Sequence, residues 1–486
     1  MTSPTILAID QGTTSTRAIL FDRDGTVLRA AQRALPQVYP GHGWVEHDPE
    51  VIWADTLATC REVTDGAPAV IGITNQRETT VVWDRSTGRA IHNAIVWQDR
   101  RTAARCAGLV AAGHEALVTA RSGLVIDPYF SASKIAWILG HTETHAAARR
   151  GDLAFGTIDS FLLWRLTEGR VHATDATNAA RTGLYNIHTG QWDPDLLELY
   201  GIPAAVLPDI QDNAADFGST GLLAGAIGIG AMAGDQQAAL VGHACFQPGD
   251  IKCTYGTGAF MIANTGAAPV TSGNRLLTTV GYRLQGVTTY ALEGGIFVTG
   301  AAVQWLRDGL GLLQHAEDSA AMAASVPDSA GVYVVPALTG LGAPYWDAGA
   351  RGLICGMDRG ATGAHLVRAT LEAVCYQTLD LIEAMRRDGI PPMPALRVDG
   401  GMTRNDWLMQ RTADLTRLPV ERAAVIETTA LGVACLAGLQ AGLFGSLDDI
   451  ARLRTPDQVW QPTGTTAERD GLYAGWKTAV QRARSC

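Results

Sequence analysis

Two short apolar runs open the chain and are separated by a turn of small polar residues. Residues 5–9 and 17–21 are β-prone, and short apolar runs bounded by turn signals predict buried strands. The turn between them reads DQGTTST at 10–16. A turn of this composition exposes several backbone N–H groups and hydroxyls at one place. The pattern predicts a strand–turn–strand unit that suits a polyphosphate group.

The second half of the chain repeats this arrangement. Residues 250–254 are again β-prone, YGTG follows at 255–258, and a further apolar run occupies 259–263. Each half also has a later strand that ends in a special turn, at 69–74 before NQRE and at 396–398 before DGG. We therefore predict an internal duplication, in which two similar halves face one another and bind a nucleotide in the cleft between them.

Helical and β-prone segments alternate through the rest of the sequence, as in the helix predicted for residues 363–385. Such alternation predicts an α/β fold. The turn residues CFQPGD near 245–251 indicate the boundary between an N-terminal domain, 1–247, and a C-terminal domain, 248–486. The glycine-rich segment 222–234 is predicted to be a flexible loop.

Composition and charge narrow the classes of function. A chain of 486 residues is too long for one hydrophobic core, and 47% hydrophobic with 18% charged residues is typical of globular proteins. The net charge of −10, without any basic cluster, argues against nucleic acid as a partner. No secretory signal or long apolar run is evident, so we expect a cytoplasmic protein without membrane insertion. The eight cysteines lack a close C-x-x-C pair and are expected to be reduced thiols.

Three positions carry candidate chemistry, each with a structural alternative. Asp10, beside the first turn, could hold Mg²⁺ through water. Asp235, among small residues in AGDQQAA, could take the proton of an attacking hydroxyl, or could cap a helix. The pair Arg77–Glu78 could bind hydroxyls, although such dipeptides are usually solvated surface pairs. The segment HTETH at 141–145 lacks the order of residues in a zinc motif and is interpreted as a solvated face.

Ordered blocks along nearly the whole chain resemble the FGGY carbohydrate kinases of the actin-like ATPase superfamily. These blocks are DQGTTS at 10–15, GWVEHDP at 43–49, GITNQRETT at 72–80, NAIVWQ at 93–98, GLVIDPYFS at 123–131, AGDQQAA at 233–239, YGTG at 255–258 and RVDGG at 397–401. The resemblance implies two actin-like (ribonuclease H-like) domains with the active site in the interdomain cleft. It also implies ATP-dependent phosphorylation of glycerol to sn-glycerol 3-phosphate, with polyol and phosphate bound by the N-terminal domain and the adenine nucleotide by the C-terminal domain.

The resemblance further implies roles for single residues. Asp235 is expected to be the general base, aided by Asp10 and Arg17, and Mg²⁺ is expected on Asp10 and Asp235. The residues expected to bind the polyol are Arg77, Glu78, Trp97, Tyr129, Asp235, Gln236 and Phe260. Those expected to bind ATP are Thr13, Thr14, Ser15, Arg17, Thr257, Gly300, Gln304, Gly401 and Asn405.

Two other functions fit the same scaffold. The first is a related kinase that acts on a four- or five-carbon polyol or ketose, against which the run TNQRETT at 74–80 favours the glycerol branch. The second is a chaperone-like ATPase or filament protein, which predicts ATP hydrolysis independent of polyol. Because relatives form dimers and tetramers, we also expect a homodimer or homotetramer.

The glycine-rich segment departs from the family pattern. Some bacterial relatives carry an arginine there that helps to bind the inhibitor fructose 1,6-bisphosphate, and the matching residue here is Ala226. Other relatives carry a regulatory phosphorylated histidine nearby, whereas residues 211–235 contain no histidine. We therefore do not expect either form of control.

Overall fold

The computed structural model describes residues 4–223 and 225–485. Its strands are β1 (Ile6–Gln11), β2 (Ser15–Phe21), β3 (Val27–Ala34), β4 (Glu46–His47), β5 (Val70–Asn75), β6 (Val81–Asp84), β7 (Ala94–Ile95), β8 (Leu153–Gly156), β9 (Ala173–Asp175), β10 (Tyr185–Asn186), β11 (Gln191–Trp192), β12 (Asp209–Gln211), β13 (Ser219–Leu223), β14 (Gly225–Gly234), β15 (Ile251–Tyr255), β16 (Ala259–Gly266), β17 (Leu277–Leu284), β18 (Val287–Ile296), β19 (Tyr333–Val335), β20 (Leu353–Cys355), β21 (Leu396–Asp399), β22 (Val420–Ala423) and β23 (Pro456–Trp460).

Helices cover both faces of the main sheets. They are α1 (Pro49–Val63), α2 (Ala103–Ala111), α3 (Glu115–Ser122), α4 (Ser131–His141), α5 (His145–Arg150), α6 (Ile158–Leu166), α7 (Ala176–Ala179), α8 (Pro194–Tyr200), α9 (Asp235–Gly242), α10 (Gly300–Asp308), α11 (Asp318–Ala324), α12 (Gly363–Arg387), α13 (Asp406–Thr416), α14 (Thr428–Gln440), α15 (Leu447–Ala451) and α16 (Thr466–Ala483), with short 3₁₀ turns at Ala204–Val206 and Gly401–Arg404. None of these helices is both long enough and apolar enough to span a bilayer, a finding that covers residues 4–223 and 225–485.

Six strands have the same spatial order and relative directions in the two main sheets, which confirms the predicted duplication. The first has the order β3-β2-β1-β5-β14-β13 and the second β17-β18-β16-β15-β21-β22-β23. In each, an antiparallel meander, β1-β2-β3 or β15-β16-β18, is extended by two parallel strands, β5-β14 or β21-β22, and ends in an antiparallel edge strand. β17 is an addition to the second half.

Helices α9 and α14 follow corresponding strands, β14 and β22, and pack against each other between the two sheets. Small residues permit this close approach, because a Cβ atom on Gly432 of α14 would lie 2.6 Å from the carbonyl carbon of Ala238 in α9. Buried side chains of both helices belong to one apolar cluster with β1 and β14. The two halves therefore meet through a tightly packed helix pair, and the first residue of α9 is Asp235.

The prediction of a flexible loop at 222–234 is wrong. In the described residues of this segment, β13 ends at Leu223 and β14 runs from Gly225 to Gly234, inside the sheet beside β5. Ile227, Ile229 and Met232 are buried in the core of the first half. Glycine is required on the other face, since a Cβ on Gly230 would lie 2.7 Å from the side chain of Val70 and 3.3 Å from the carbonyl oxygen of Ala437 in α14. Gly230 therefore reflects the close packing of α14 on β14.

Candidate active site

Three parallel strands of the first sheet end at the same edge and bring candidate residues together. Asp10 of β1 is in register with Thr74 of β5, and Gly234 of β14 is in register with Asn75. Asp235 therefore follows its strand at the level where Arg77 follows β5. The parallel arrangement explains why residues far apart in sequence meet at one site.

The first turn has the exposed backbone that the sequence predicts. The amide of Gly12 donates to the carbonyl of Ser15 at 2.9 Å, which closes a tight turn between β1 and β2. Thr14 is exposed, Ser15 is buried, and the Thr13 hydroxyl accepts a hydrogen bond of 2.9 Å from the Trp97 indole. The turn is thus fixed at both ends and presents its tip to solvent, as a phosphate-binding turn requires.

Asp10 lies in a cluster of charged groups at this edge. Burial raises the pKa of Asp10 to about 6. The positive charge of Arg17 lowers this pKa, and the negative charges of Asp235 and Glu427 partly offset that lowering. Arg17, directly opposite Asp10 on β2, forms an ion pair with Glu427 at the start of α14. Arg17 therefore lies in the cleft, where it contacts the other half of the molecule.

Arg77 and Glu78 are buried, which excludes the interpretation of a solvated surface pair. The Nε atom of Arg77 lies 3.2 Å from the Asp235 carboxylate, and the Arg77 side chain is only 2% exposed, compared with 31% for Asp235. Glu78 has a φ of 60°, in the left-handed region that residues other than glycine rarely adopt. Such strained backbone clusters at functional sites, where the surroundings enforce it.

Two residues that the sequence analysis missed contact this pair. Glu293 of β18 accepts from the two terminal nitrogens of Arg77 at 2.5 and 2.9 Å, and also from Arg181 at 3.0 Å. Arg181 in turn donates from Nε to Glu78 at 2.7 Å. A signal for Glu293 exists in the sequence, because it is a single charge within the apolar run YALEGGI. Arg181, in the loop after α7, has no comparable signal.

Aromatic side chains line the same region. The Trp97 ring meets Tyr129 edge to face at 5.6 Å and Phe260 at 6.0 Å between centroids. Phe260 lies on β16 of the second half, so this wall is built from both domains. Rings arranged in this way can cover the carbon edge of a small polyol and exclude water.

Asp235 and Gln236 are the first two residues of α9, which agrees in part with the alternative role of Asp235 as a helix cap. The formal N-cap is Gly234, and Asp235 accepts a bond of 2.7 Å from the amide of Gln236. The Gln236 side chain accepts from the buried ammonium group of Lys252, whose pKa is lowered by burial. Since the Asp235 carboxylate keeps solvent exposure beside Arg77, a capping role and a catalytic role are compatible.

The predicted nucleotide-binding residues of the second half lie near the strand ends of the second sheet. The amide of Gly300, at the start of α10, donates to Gly256 at 3.1 Å, and the carbonyl of Thr257 accepts from Thr299 at 2.9 Å. Gly401 is exposed with open space at its Cβ position, Asn405 caps α13, and Gln304 is exposed on α10. The group offers an open surface across the cleft from the first turn, and the assignment of each contact stays a prediction.

Family models match both halves of the chain. The N-terminal domain of the FGGY family of carbohydrate kinases matches residues 5–242, and its C-terminal domain matches residues 251–441. The chain belongs to the FGGY family of carbohydrate kinases. The fold of this FGGY member is accordingly the two-domain, actin-like architecture expected from the sequence.

Individual proteins similar to this FGGY member extend the comparison over the full length. A glycerol kinase of Rhodospirillum centenum is 59% identical over 99% of this chain and 98% of its own. The crystal structure of Plasmodium falciparum glycerol kinase with ADP has a TM-score of 0.94 at 35% identity, covering 99% of this chain and 98% of that one. A xylulose kinase of Lactobacillus acidophilus, with a TM-score of 0.88 at 22% identity, covers 98% of this chain and 97% of its own and shares the fold.

Proposed function

We propose that this protein phosphorylates glycerol with ATP and Mg²⁺ to give sn-glycerol 3-phosphate and ADP. The observation that carries the proposal is the partly exposed Asp235 carboxylate, 3.2 Å from the buried Arg77, together with the aromatic wall formed by Trp97, Tyr129 and Phe260. This arrangement provides a base, a hydroxyl-binding pair and an apolar cover for the carbon chain of a polyol. Relatives at high identity over the full length carry the same activity in their names.

The reaction follows from the placement of these groups. Asp235 accepts the proton of the terminal hydroxyl of glycerol as the oxygen attacks the γ-phosphorus of ATP. The bond between this phosphorus and the bridging oxygen breaks, and ADP leaves with the bond electrons. Arg17 and the amides of the first turn stabilise the charge on the phosphate oxygens, while the domains exclude bulk water. Arg17 exchanges its partner Glu427 for phosphate during binding.

The acidic cluster fits a magnesium ion. Asp10 and Asp235 provide hard oxygen donors, and they lie close enough for the negative charge of Asp235 to contribute to the raised pKa of Asp10, which burial mainly causes. Two carboxylates suffice, since Mg²⁺ usually keeps several waters and completes its shell with substrate phosphates. When bound, the ion would neutralise charge on the transferred phosphoryl group.

The half-saturating Mg²⁺ concentration is expected to rise steeply below about pH 6. Asp10 has a pKa of about 6, so acid protonates it and removes a ligand charge, which weakens binding by up to about tenfold per pH unit. The effect on metal-free stability has the opposite sign. Because the folded pKa exceeds the unfolded value of 3.8, the stabilising contribution of this group is complete below 3.8 and is lost as pH rises through about 6.

ADP release measured against Mg²⁺ concentration at about pH 5, 6 and 7 checks this expectation. The Asp10→Asn variant serves as the reference: an amide does not titrate, so the pH dependence that it retains is that of the ATP phosphates, and the additional dependence of the unmodified protein is due to Asp10. Equal half-saturating concentrations at both pH extremes in the unmodified protein would rule out Asp10 as a ligand.

A panel of acceptors tests the proposed function itself. We expect ADP release with glycerol to exceed that with dihydroxyacetone, erythritol, xylulose, ribulose and gluconate, and to fall to background without acceptor. A five-carbon acceptor that reacts faster than glycerol would overturn the substrate and leave the family unchanged. Hydrolysis that ignores every acceptor would favour the chaperone-like or filament ATPase.

The proposal also includes the cellular setting. A cytoplasmic location is supported by the use of ATP and by the described cysteines, which are unpaired and mostly buried thiols within residues 4–223 and 225–485. The domain division at residues 247 and 248, in the connection between α9 and β15, and assembly into a dimer or tetramer, belong to the same proposal.

A further inference from the structure

A buried network of four charged side chains includes two of the predicted polyol-binding residues, Arg77 and Glu78. Glu293 bridges Arg77 and Arg181, and Arg181 joins Glu293 to Glu78. All four side chains are 2% exposed or less. The guanidinium of Arg181 also lies 5.6 Å from the ring centroid of Tyr129. Arg181 thus contacts two residues that are expected to bind the polyol, Glu78 and Tyr129. Through Glu293 it is linked to a third, Arg77.

We propose that Arg181 and Glu293 are positioning residues. They hold Arg77 and Glu78 in the geometry in which these two side chains recognise the hydroxyl groups of the polyol. The inference rests on the proposed function and adds the determinant of hydroxyl specificity. Neither residue needs to touch the substrate for this role, because each acts through a side chain that does.

The geometry of Glu293 supports this assignment. Arg77 has two further acceptors near it, Gln237 at 3.3 Å and Asp235 at 3.2 Å, and both are longer contacts than the pair to Glu293. The two-pronged bond to Glu293 therefore fixes the plane of the guanidinium. Without it, the terminal nitrogens of Arg77 would be free to turn toward Asp235, which now has only the Nε contact at 3.2 Å.

Arg181 fixes Glu78 in a similar way. Its hydrogen-bond acceptors within the described residues are Glu78 and Glu293, and its Nη1 atom has no partner there. Glu78 is held in a left-handed backbone conformation, which persists only where the surrounding contacts enforce it. Burial raises the pKa of Glu78, whereas Arg181 and Arg77 together keep the pKa of Glu293 below its usual range despite burial. The charge on Glu78 thus depends on Arg181.

The network also joins the two halves of the molecule. Arg77, Glu78 and Arg181 belong to the first half, whereas Glu293 is on β18 of the second, in register with Ile262. A polyol site read by this network is complete only when both domains are in place. Hydroxyl recognition by buried, mutually fixed charges rejects deoxy analogues strongly, because a missing hydroxyl leaves those charges without a partner.

The variants Glu293→Gln and Arg181→Lys test the proposal in the intact protein. Steady-state kinetics would be measured with glycerol, propane-1,2-diol and propane-1,3-diol at saturating MgATP, and then with ATP varied. We expect the KM for glycerol to rise about tenfold or more in both variants, with the KM for ATP nearly unchanged. The preference for glycerol over the diols should fall by about tenfold.

Glu372→Gln is a matched control. Glu372, on α12, is also a buried carboxylate between two arginines, Arg368 at 3.2 Å and Arg411 at 3.0 Å. A loss of folded molecules lowers kcat without changing either KM, and this is the pattern expected of the control. The proposal is overturned if the test variants show that same pattern, or if their diol preference is unchanged. If Glu293→Gln does not fold, Arg181→Lys, which keeps the charge, gives the same readouts. A wild-type protein inactive on glycerol would instead refute the proposed function.

Discussion

The Asp235→Asn variant is expected to lose about 10²- to 10⁴-fold in turnover, the usual contribution of a general base, while its affinity for glycerol stays close to that of the unmodified protein. Asparagine has the same size and can still accept from the Gln236 amide, so α9 should begin unchanged. It cannot take the proton of the attacking hydroxyl. The neutral amide also weakens the contact with the Arg77 guanidinium at 3.2 Å, because it removes the negative charge, and this loss is smaller because Arg77 keeps Glu293.

ADP release and calorimetric titration of glycerol measure the two quantities separately. Asp195→Asn is a suitable control, because Asp195 also lies in the first turn of a helix, α8, and forms an exposed ion pair of 3.1 Å with Arg121. Exposed pairs contribute little, so this variant should keep full activity. Turnover by Asp235→Asn at the wild-type rate would remove Asp235 from the chemistry.

The duplication could be predicted from the sequence because short local patterns of residues indicate it in each half. Each apolar run followed by a glycine–threonine turn corresponds to a strand pair, β1–β2 or β15–β16, at the same place in its sheet. The prediction for segment 222–234 was wrong because the structure there depends on a contact with a helix that is distant in sequence. The glycines suggested a loop, but Gly230 permits the close approach of α14 to β14, and local propensity contains no information about a helix formed by residues 428–440.

The candidate site was predictable to a similar extent. Residues at strand ends or in special turns, such as Asp10, Arg77 and Asp235, can be found because parallel strands end at one edge. The partners that fix them cannot be found in this way. Arg181 and Glu293 are 112 residues apart and belong to different halves, and their contact depends on how the two domains pack. Long-range ion pairs of this kind are a property of tertiary structure.

The Gly432→Ala variant is expected to destabilise the protein by about 3 kcal/mol or more, at the upper end for overpacked cores. An added Cβ would lie 2.6 Å from the carbonyl carbon of Ala238 and 2.8 Å from the amide nitrogen of Gly242, so the obstacle is backbone on both sides. Side chains can rotate away from a clash, whereas a helix must move as a body. To accommodate the methyl group, α9 has to shift relative to α14.

That shift would reach the active site, because α9 begins at Asp235. A displacement of about 1 Å in a catalytic group can reduce the rate about 10²-fold, so the folded fraction of Gly432→Ala should also turn over slowly. Denaturant unfolding and kcat per folded molecule measure the two effects. Gly108→Ala in α2 is the control: its Cβ would meet nothing within 4 Å, and alanine should stabilise this exposed helical position by up to about 1 kcal/mol. Equal stabilities of the two variants would show that α9 and α14 do not require glycine at their contact, and that the base is positioned by the strand ends alone.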